Sequence, residues 1–234
     1  MVEELVGKLL GWVLFRASGS ELFSFMNMLE GQHEEKYTLK VIMDIERREN
    51  MKKLLISEMV SVDGFFAGPN GEIDWHNVNE EFNTFAIEQL NSVDTLVFGR
   101  VTYELMASYW PTEAAIKDDH EVAAKMNALQ KVVFSKTLQK VEWQNSRLAK
   151  NDIVEEITQL KKEDGRDMVI FGSGKIVSVL AQAGLIDEYR LIVNPVVLGK
   201  GKSLFTGAEQ FKLKLLDTRQ FQSGNVLLKY GPVL

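Results

Sequence analysis

From Lys53 onward the chain alternates apolar strand-like runs with helix-like runs at the spacing of βα units, and this pattern narrows the possible folds more than any other feature. Two strands joined through a helix run parallel, and a parallel sheet needs helices over both faces. Strands are expected near residues 53–60, 95–98, 131–134, 168–171, 188–197, 211–219 and 225–230, with a weaker one near 146–149. Helices are expected near 79–91, 101–109, 120–128, 152–163 and 174–183. Only Gln220 to Gly224 separate the last two strands, which suits an antiparallel hairpin at one edge. No internal repeat breaks the pattern, so residues 51–234 read as one α/β domain.

Residues 1–50 read differently. A short amphipathic helix around Leu9 to Phe15 is followed by a Ser18-Gly19-Ser20 break and a mixed segment ending at Asn50. The apolar stretch follows Glu3, Glu4 and Lys8 rather than a basic leader, unlike a secretory signal. Met51-Lys52-Lys53 then leads directly into Leu54-Leu55-Ile56, an abrupt strand signal. Two readings stand: a start codon placed upstream of a true first residue at Met51, or an extension used for self-association or docking.

The chain has 234 residues, 45% of them apolar, enough for one substantial core. A net charge of -6 and a pI near 5.3 argue against nucleic acid as a partner, which needs a concentrated basic surface. Cysteine is absent, which excludes a disulfide framework or a thiolate nucleophile and is compatible with a cytoplasmic location. No run approaches the roughly twenty uncharged residues that span a bilayer, so no membrane partner is expected. His33, His76 and His120 show no ligand spacing, so no metal site is expected either, and no Gly-x-Ser-x-Gly elbow suggests a hydrolase.

At two places a strand-like run passes through glycine straight into a helix: Leu96-Val97-Phe98-Gly99-Arg100-Val101-Thr102-Tyr103-Glu104 and Val169-Ile170-Phe171-Gly172-Ser173-Gly174-Lys175-Ile176. Glycine lets the backbone approach a ligand, and the first helical turn leaves amide donors for an anion. Arg100 and Thr102 add a guanidinium and a hydroxyl to the first junction, and Lys175 an ammonium to the second. A ligand with several phosphates, such as a dinucleotide, fits both. Walker spacing is absent, and Ser178 stands near the place of the third glycine of the usual dinucleotide fingerprint, which disfavours a standard Rossmann assignment. For Gly99 and Arg100 taken alone, a tight turn and a solvated helix start are equally good accounts. A third strand, Val132-Val133-Phe134-Ser135-Lys136-Thr137, should end beside the other two, where Ser135 and Lys136 could hold a further phosphate. A polar strand end facing water competes, for Lys136 in particular.

Upstream, Ser57 to Gly68 leaves the first strand and enters a loop holding Gly68-Pro69-Asn70-Gly71 before Asp74-Trp75. The order of a Ser-x-Asp-Gly loop, Asp-Trp, a strand to Gly-Arg-x-Thr-Tyr-Glu and a strand to Gly-Ser-Gly-Lys resembles the dihydrofolate-reductase-like superfamily. Within it, the chain is most similar to the reductase domain of bacterial bifunctional riboflavin-biosynthesis deaminase-reductases and their stand-alone relatives. The segment Asn194-Pro195-Val196-Val197-Leu198-Gly199-Lys200-Gly201-Lys202-Ser203-Leu204-Phe205 resembles the late part of that group. The likeness covers 51–234 and none of 1–50. It implies a three-layer fold with a mostly parallel eight-stranded sheet and a C-terminal antiparallel hairpin, binding NADPH along its strand ends. On that mapping Gly99, Arg100 and Thr102 contact cofactor phosphate, Ser135 and Lys136 the adenosine 2'-phosphate, and Gly172, Ser173, Gly174, Lys175 and Ile176 the pyrophosphate. The loop from Ser61 to Trp75 closes over the nicotinamide.

Two acids are candidates for proton chemistry. Glu80-Glu81-Phe82-Asn83-Thr84-Phe85 resembles the region where dihydrofolate reductases carry the acid that pairs with the pterin. At about 100° per residue Glu81 lies roughly 40° from Phe85 on the apolar face, while Glu80 points away, so Glu81 is the better partly buried acid. Acidic enrichment of a first helical turn is the competing account. Asp63, where the first strand opens into the covering loop, could meet a polar substrate or stabilise the turn before Gly64. Ser61 and Trp75 are placed on the substrate side, with core packing the alternative for Trp75. The expected activity is NADPH-dependent hydride transfer to a small heterocyclic or sugar-derived substrate, such as 5-amino-6-(5-phosphoribosylamino)uracil. A dihydrofolate or pterin reductase and a non-catalytic nucleotide-binding sensor are the alternatives, and a homodimer is expected, since an edge hairpin can be covered by a partner, with no interface assigned.

Overall fold

The computed structural model describes residues 51–172 and 174–233, so the expectations for 1–50 and for Ser173 lie outside the described residues. In chain order the elements are β1 (Leu54–Ser61), β2 (Phe65–Ala67), α1 (Glu80–Ser92), β3 (Val93–Gly99), α2 (Arg100–Tyr109), α3 (Glu113–Asp118), α4 (His120–Ala128), β4 (Gln130–Phe134), β5 (Ser146–Leu148), α5 (Ile153–Leu160), β6 (Asp167–Ile170), α6 (Gly174–Gln182), β7 (Glu188–Asn194), β8 (Lys202–Ser203), β9 (Leu213–Gln220) and β10 (Val226–Pro232). Eight strands form one sheet in the order β5-β4-β3-β6-β1-β7-β10-β9, and β2 pairs with β8 in a separate two-stranded ribbon. Every pairing from β5 to β7 is parallel, and β10 runs antiparallel to both β7 and β9. This is the mostly parallel α/β sheet with a terminal hairpin that the alternating pattern implies.

Strand alternation divides the core into two layers. Leu54 and Ile56 of β1, Val97 of β3, Val132 of β4 and Met168 and Ile170 of β6 face Ile157 and Leu160 of α5 and Ile176, Val177 and Leu180 of α6. Leu55, Leu96, Phe98, Val133 and Val169 face the other way, against Leu90, Tyr103, Val122 and Met126 of α1, α2 and α4. All eight residues of β1 are buried, as a central parallel strand covered on both faces requires.

Deviations from the expected elements have local causes. The strand expected to reach 197 stops at Asn194, because Pro195 has no amide to donate to a ladder. The helix expected to reach 163 stops at Leu160, where Lys162 and Glu163 close tighter turns on Gln159 and Leu160. Sequence periodicity is blind to β2, β8 and α3, which are too short to show a period. Lys131 sits fully buried on β4, its ammonium donating to the carbonyls of Asn127, Leu129 and Gln144 at 3.0, 2.7 and 3.1 Å. Strand β9 forms one edge of the sheet and leaves Leu215 and Leu216 each 52% exposed. No helix among the described residues is long and apolar enough to cross a membrane.

Candidate active site

The chain leaves β3 through α2 on one face of the sheet and leaves the neighbouring β6 through α6 on the other. Adjacent strands whose helices turn to opposite faces open a crevice at their carboxyl ends. A groove of about 1630 Å³ lies there, passing Phe134 of β4, Gly99 of β3, Gly172 after β6, Glu58 of β1 and Ile192 of β7. Five neighbouring strands at about 4.8 Å spacing cover roughly 19 Å. The volume exceeds the ~300–1,000 Å³ of an ordinary small-ligand site, so the groove can take an extended ligand and a second, smaller one.

Both glycine junctions lie in this groove, and they touch. Gly172 is buried with φ +71°, a left-handed conformation that L side chains rarely adopt. A Cβ there would stand 2.9 Å from Thr102 Oγ1 and 3.2 Å from Thr102 Cγ2. The first turn of α2 therefore packs directly on the turn after β6. Gly174 has another cause: a Cβ would meet the Ser203 carbonyl at 3.0 Å and the Phe66 ring at 3.2 Å, so glycine lets the β2–β8 ribbon approach the start of α6.

Helix ends are treated differently at the groove. Asn79, Thr112, Asp119 and Asp152 cap α1, α3, α4 and α5 with side-chain oxygens, and each of these helices has an acid in its first turn. Helix α2 begins at Gly99 with no side-chain cap, and the first turns of α2 and α6 hold no acid. Their positive ends are therefore compatible with a bound anion. Gly99, Arg100, Thr102, Ser135, Lys136, Gly172, Gly174, Lys175 and Ile176 all line the groove. Arg100 bonds Glu104 at 2.9 Å with both side chains 45% exposed. Such exposed pairs contribute only about 0.3–0.5 kcal/mol, so a phosphate can recruit the guanidinium. Ser135 Oγ accepts the amides of Thr137 and Leu138 at 3.1 and 2.9 Å, which shapes the turn that presents it.

The four residues assigned by sequence to chemistry or to the substrate side do not line the groove. The Glu81 carboxylate accepts the Gln222 amide at 2.8 Å, tying α1 to the turn between β9 and β10. Asp63 accepts the amides of Leu198 and Gly199 at 3.1 and 2.7 Å and so fastens the loop after β1 to the loop after β7. Hydrogen bonds from Ser61 and then from those two amides hold its carboxyl below the usual range. Ser61 is buried, its Oγ accepting the Phe65 amide at 3.0 Å. Trp75 is half-buried, its indole N–H donating to the Glu72 carbonyl at 3.1 Å. The covering loop does reach the groove, through Phe66, Ala67, Gly71, Ile73 and Asp74 instead.

A buried acid that faces the groove is Glu58. Alternation along β1 turns it toward the face that carries α6, and it lines the groove while only 9% exposed. Its Oε2 is buried and has no hydrogen-bond partner among the described residues. Burial pushes its carboxyl up from 4.5 to about 8, against a smaller downward pull from the Gly172 amide. His76 also lines the groove, with burial pulling its imidazole down from 6.5 to about 4. Met59, Phe82 and Ile192 give this end apolar walls, and Gln89, held at 3.2 Å by Arg190, adds an amide. Sequence reasoning passed over Glu58, although one carboxylate inside the run Leu54 to Ser61 was the available signal.

The sheet order and the crevice define a dihydrofolate-reductase-like α/β protein. Dihydrofolate reductase from Enterococcus faecalis, complexed with NADP(H) and RAB-propyl, is similar over 77% of this chain and 96% of its own, with a TM-score of 0.54 at 17% identity. The diaminohydroxyphosphoribosylaminopyrimidine deaminase/5-amino-6-(5-phosphoribosylamino)uracil reductase of Thermotoga maritima aligns with 79% of this chain and 58% of its own, with a TM-score of 0.59 at 16% identity. Residues 52–227 match the model of the RibD C-terminal domain, and the chain belongs to that family. The Bacillus subtilis protein YyaP is 35% identical over 183 residues, which is 76% of this chain and 94% of YyaP.

Proposed function

We propose that the chain is an NADPH-dependent reductase acting on a C=N or C=O group of a small heterocyclic or sugar-derived substrate. The observation that carries this reading is the groove itself, where two uncapped or acid-free helix starts and the Gly172–Thr102 contact meet at the sheet's point of divergence. The residues fit the cofactor: Gly172 lets the turn after β6 close onto Thr102 so that both glycine junctions border one site, Lys175 stands at the start of α6, and Arg100, Ser135 and Lys136 sit beside the end of β4 for a further phosphate. When bound, the reduced dinucleotide supplies the hydride. The protein's own part is to hold it along the strand ends, to bind the substrate at the end of the groove where Glu58, Met59, Phe82, Gln89 and Ile192 line it at the close of β1, and to exclude water with Phe66 and Ile73 from the covering loop.

Membership of the RibD C-terminal domain family supports a pyrimidine of the 5-amino-6-(5-phosphoribosylamino)uracil class as substrate. The test is fluorescence titration of the chain with NADPH and NADH, followed by NADPH oxidation with that pyrimidine and with dihydrofolate. Binding of NADPH with turnover of the pyrimidine is the expected result. Tight binding without turnover across a broad panel points to a nucleotide sensor, and failure to bind NADPH refutes the reading.

A further inference from the structure

We propose that Glu58 is the proton donor of this site, giving its carboxyl proton to the substrate as hydride arrives and remaining as a carboxylate beside the oxidised nicotinamide. This rests on the reductase reading above. Glu58 is a carboxyl group nine-tenths buried, on the central strand and in the groove wall, with an oxygen that no group among the described residues satisfies. A buried acid with an unmet oxygen is costly unless a ligand completes it. The charged and titratable side chains on the elements around it are Arg100 on α2, Lys175 on α6, Lys202 on β8, and Asp74 and His76 between β2 and α1. None of these sets its ionisation; burial and the Gly172 amide do, and burial dominates. Glu58 therefore stays protonated near neutrality.

With such a donor the step balances inside the site. Before reaction the site holds a neutral dihydronicotinamide, a neutral C=N or C=O group and a neutral carboxylic acid. Hydride adds to the substrate carbon, the Glu58 proton goes to the nitrogen or oxygen, and the double bond becomes a single bond bearing two new hydrogens. The substrate is reduced by two electrons, the nicotinamide is oxidised to a cation, and Glu58 becomes the anion that offsets it. Creating the cation next to a fixed anion costs less than creating it alone. Solvent later reprotonates Glu58.

The inference is tested without a substrate by comparing the affinities of NADP⁺ and NADPH between pH 6 and pH 9. The two share every phosphate, so NADPH controls for phosphate titration and for other protein groups. A nearby cation lowers an acid's pKa by about one unit or more, which makes NADP⁺ binding roughly tenfold tighter at pH 9 than at pH 6 relative to NADPH. Glu58→Gln should abolish that difference while still binding NADPH. Infrared spectra of the wild-type chain should show a protonated carboxyl band that disappears in Glu58→Gln and weakens when NADP⁺ is added at pH 8. Parallel pH dependence of the two affinities, or a difference that survives in Glu58→Gln, overturns the inference while leaving the reductase reading intact. Absence of binding by either dinucleotide overturns both.

Discussion

Replacing Glu58 with glutamine removes a burden on folding that grows as pH rises, and the effect can be sized. The folded carboxyl is raised from 4.5 to about 8 by burial, so its contribution to stability is present in full below pH 4.5 and is lost as pH rises toward 8. With those two values, folding is opposed by about 0.8 kcal/mol at pH 5 and by about 4.4 kcal/mol at pH 8, a change of about 3.5 kcal/mol at 1.36 kcal/mol per pKa unit. Other buried groups act in the opposite sense. His76 is depressed to about 4 and Lys131 to about 8, so their contributions are lost as pH falls from 6.5 to 4 and from 10.5 to 8. Subtracting wild type from variant at each pH cancels both. Urea denaturation of the full chain at pH 5, 6, 7 and 8 gives the measurement. Glu58→Gln should gain about 3–4 kcal/mol on wild type between the ends of that range. A difference that changes by less than about 1 kcal/mol would show that Glu58 is not held protonated, and the argument from its burial would fail.

Gly172→Ala should lower stability by about 1–2 kcal/mol through the left-handed backbone alone, and it should also abolish NADPH binding because the new methyl meets Thr102; binding at wild-type strength would refute the close approach. Arg100→Ala should weaken NADPH far more than NADH in parallel titrations, with little loss of stability because the Glu104 pair is exposed. Equal loss for both cofactors would move Arg100 from the 2'-phosphate to the pyrophosphate. Self-association is proposed through β9, which carries the exposed Leu215 and Leu216 and whose outer side pairs with no strand among the described residues. Light scattering should therefore report a dimer that Leu215→Lys with Leu216→Lys converts to monomer, and an unchanged mass would exclude that edge.

The sequence by itself determined the sheet. The run Leu54 to Ser61 and the aliphatic strands at 95–98, 131–134 and 168–171 declare themselves because a strand covered on both faces must be apolar throughout, and helices between them force parallel pairing. The groove position of the residues proposed to hold phosphate was legible for the same reason: Gly99, Gly172 and Ser135 follow strand ends, so their place is fixed once the strands are. The acids were not legible. Glu81 sits on the apolar side of its helix as helical geometry demands, yet only the packed fold shows that the Gln222 amide, 141 residues away, takes its carboxylate. Asp63 likewise spends its oxygens on Leu198 and Gly199 from a distant loop. Glu58 looked like one polar residue in a strand; its meaning depends on which strands flank β1 and on where Gly172 turns. Local periodicity reports which face a side chain takes, whereas the partner it meets and the water it loses are set by contacts between segments far apart in the chain, and those only the tertiary structure decided.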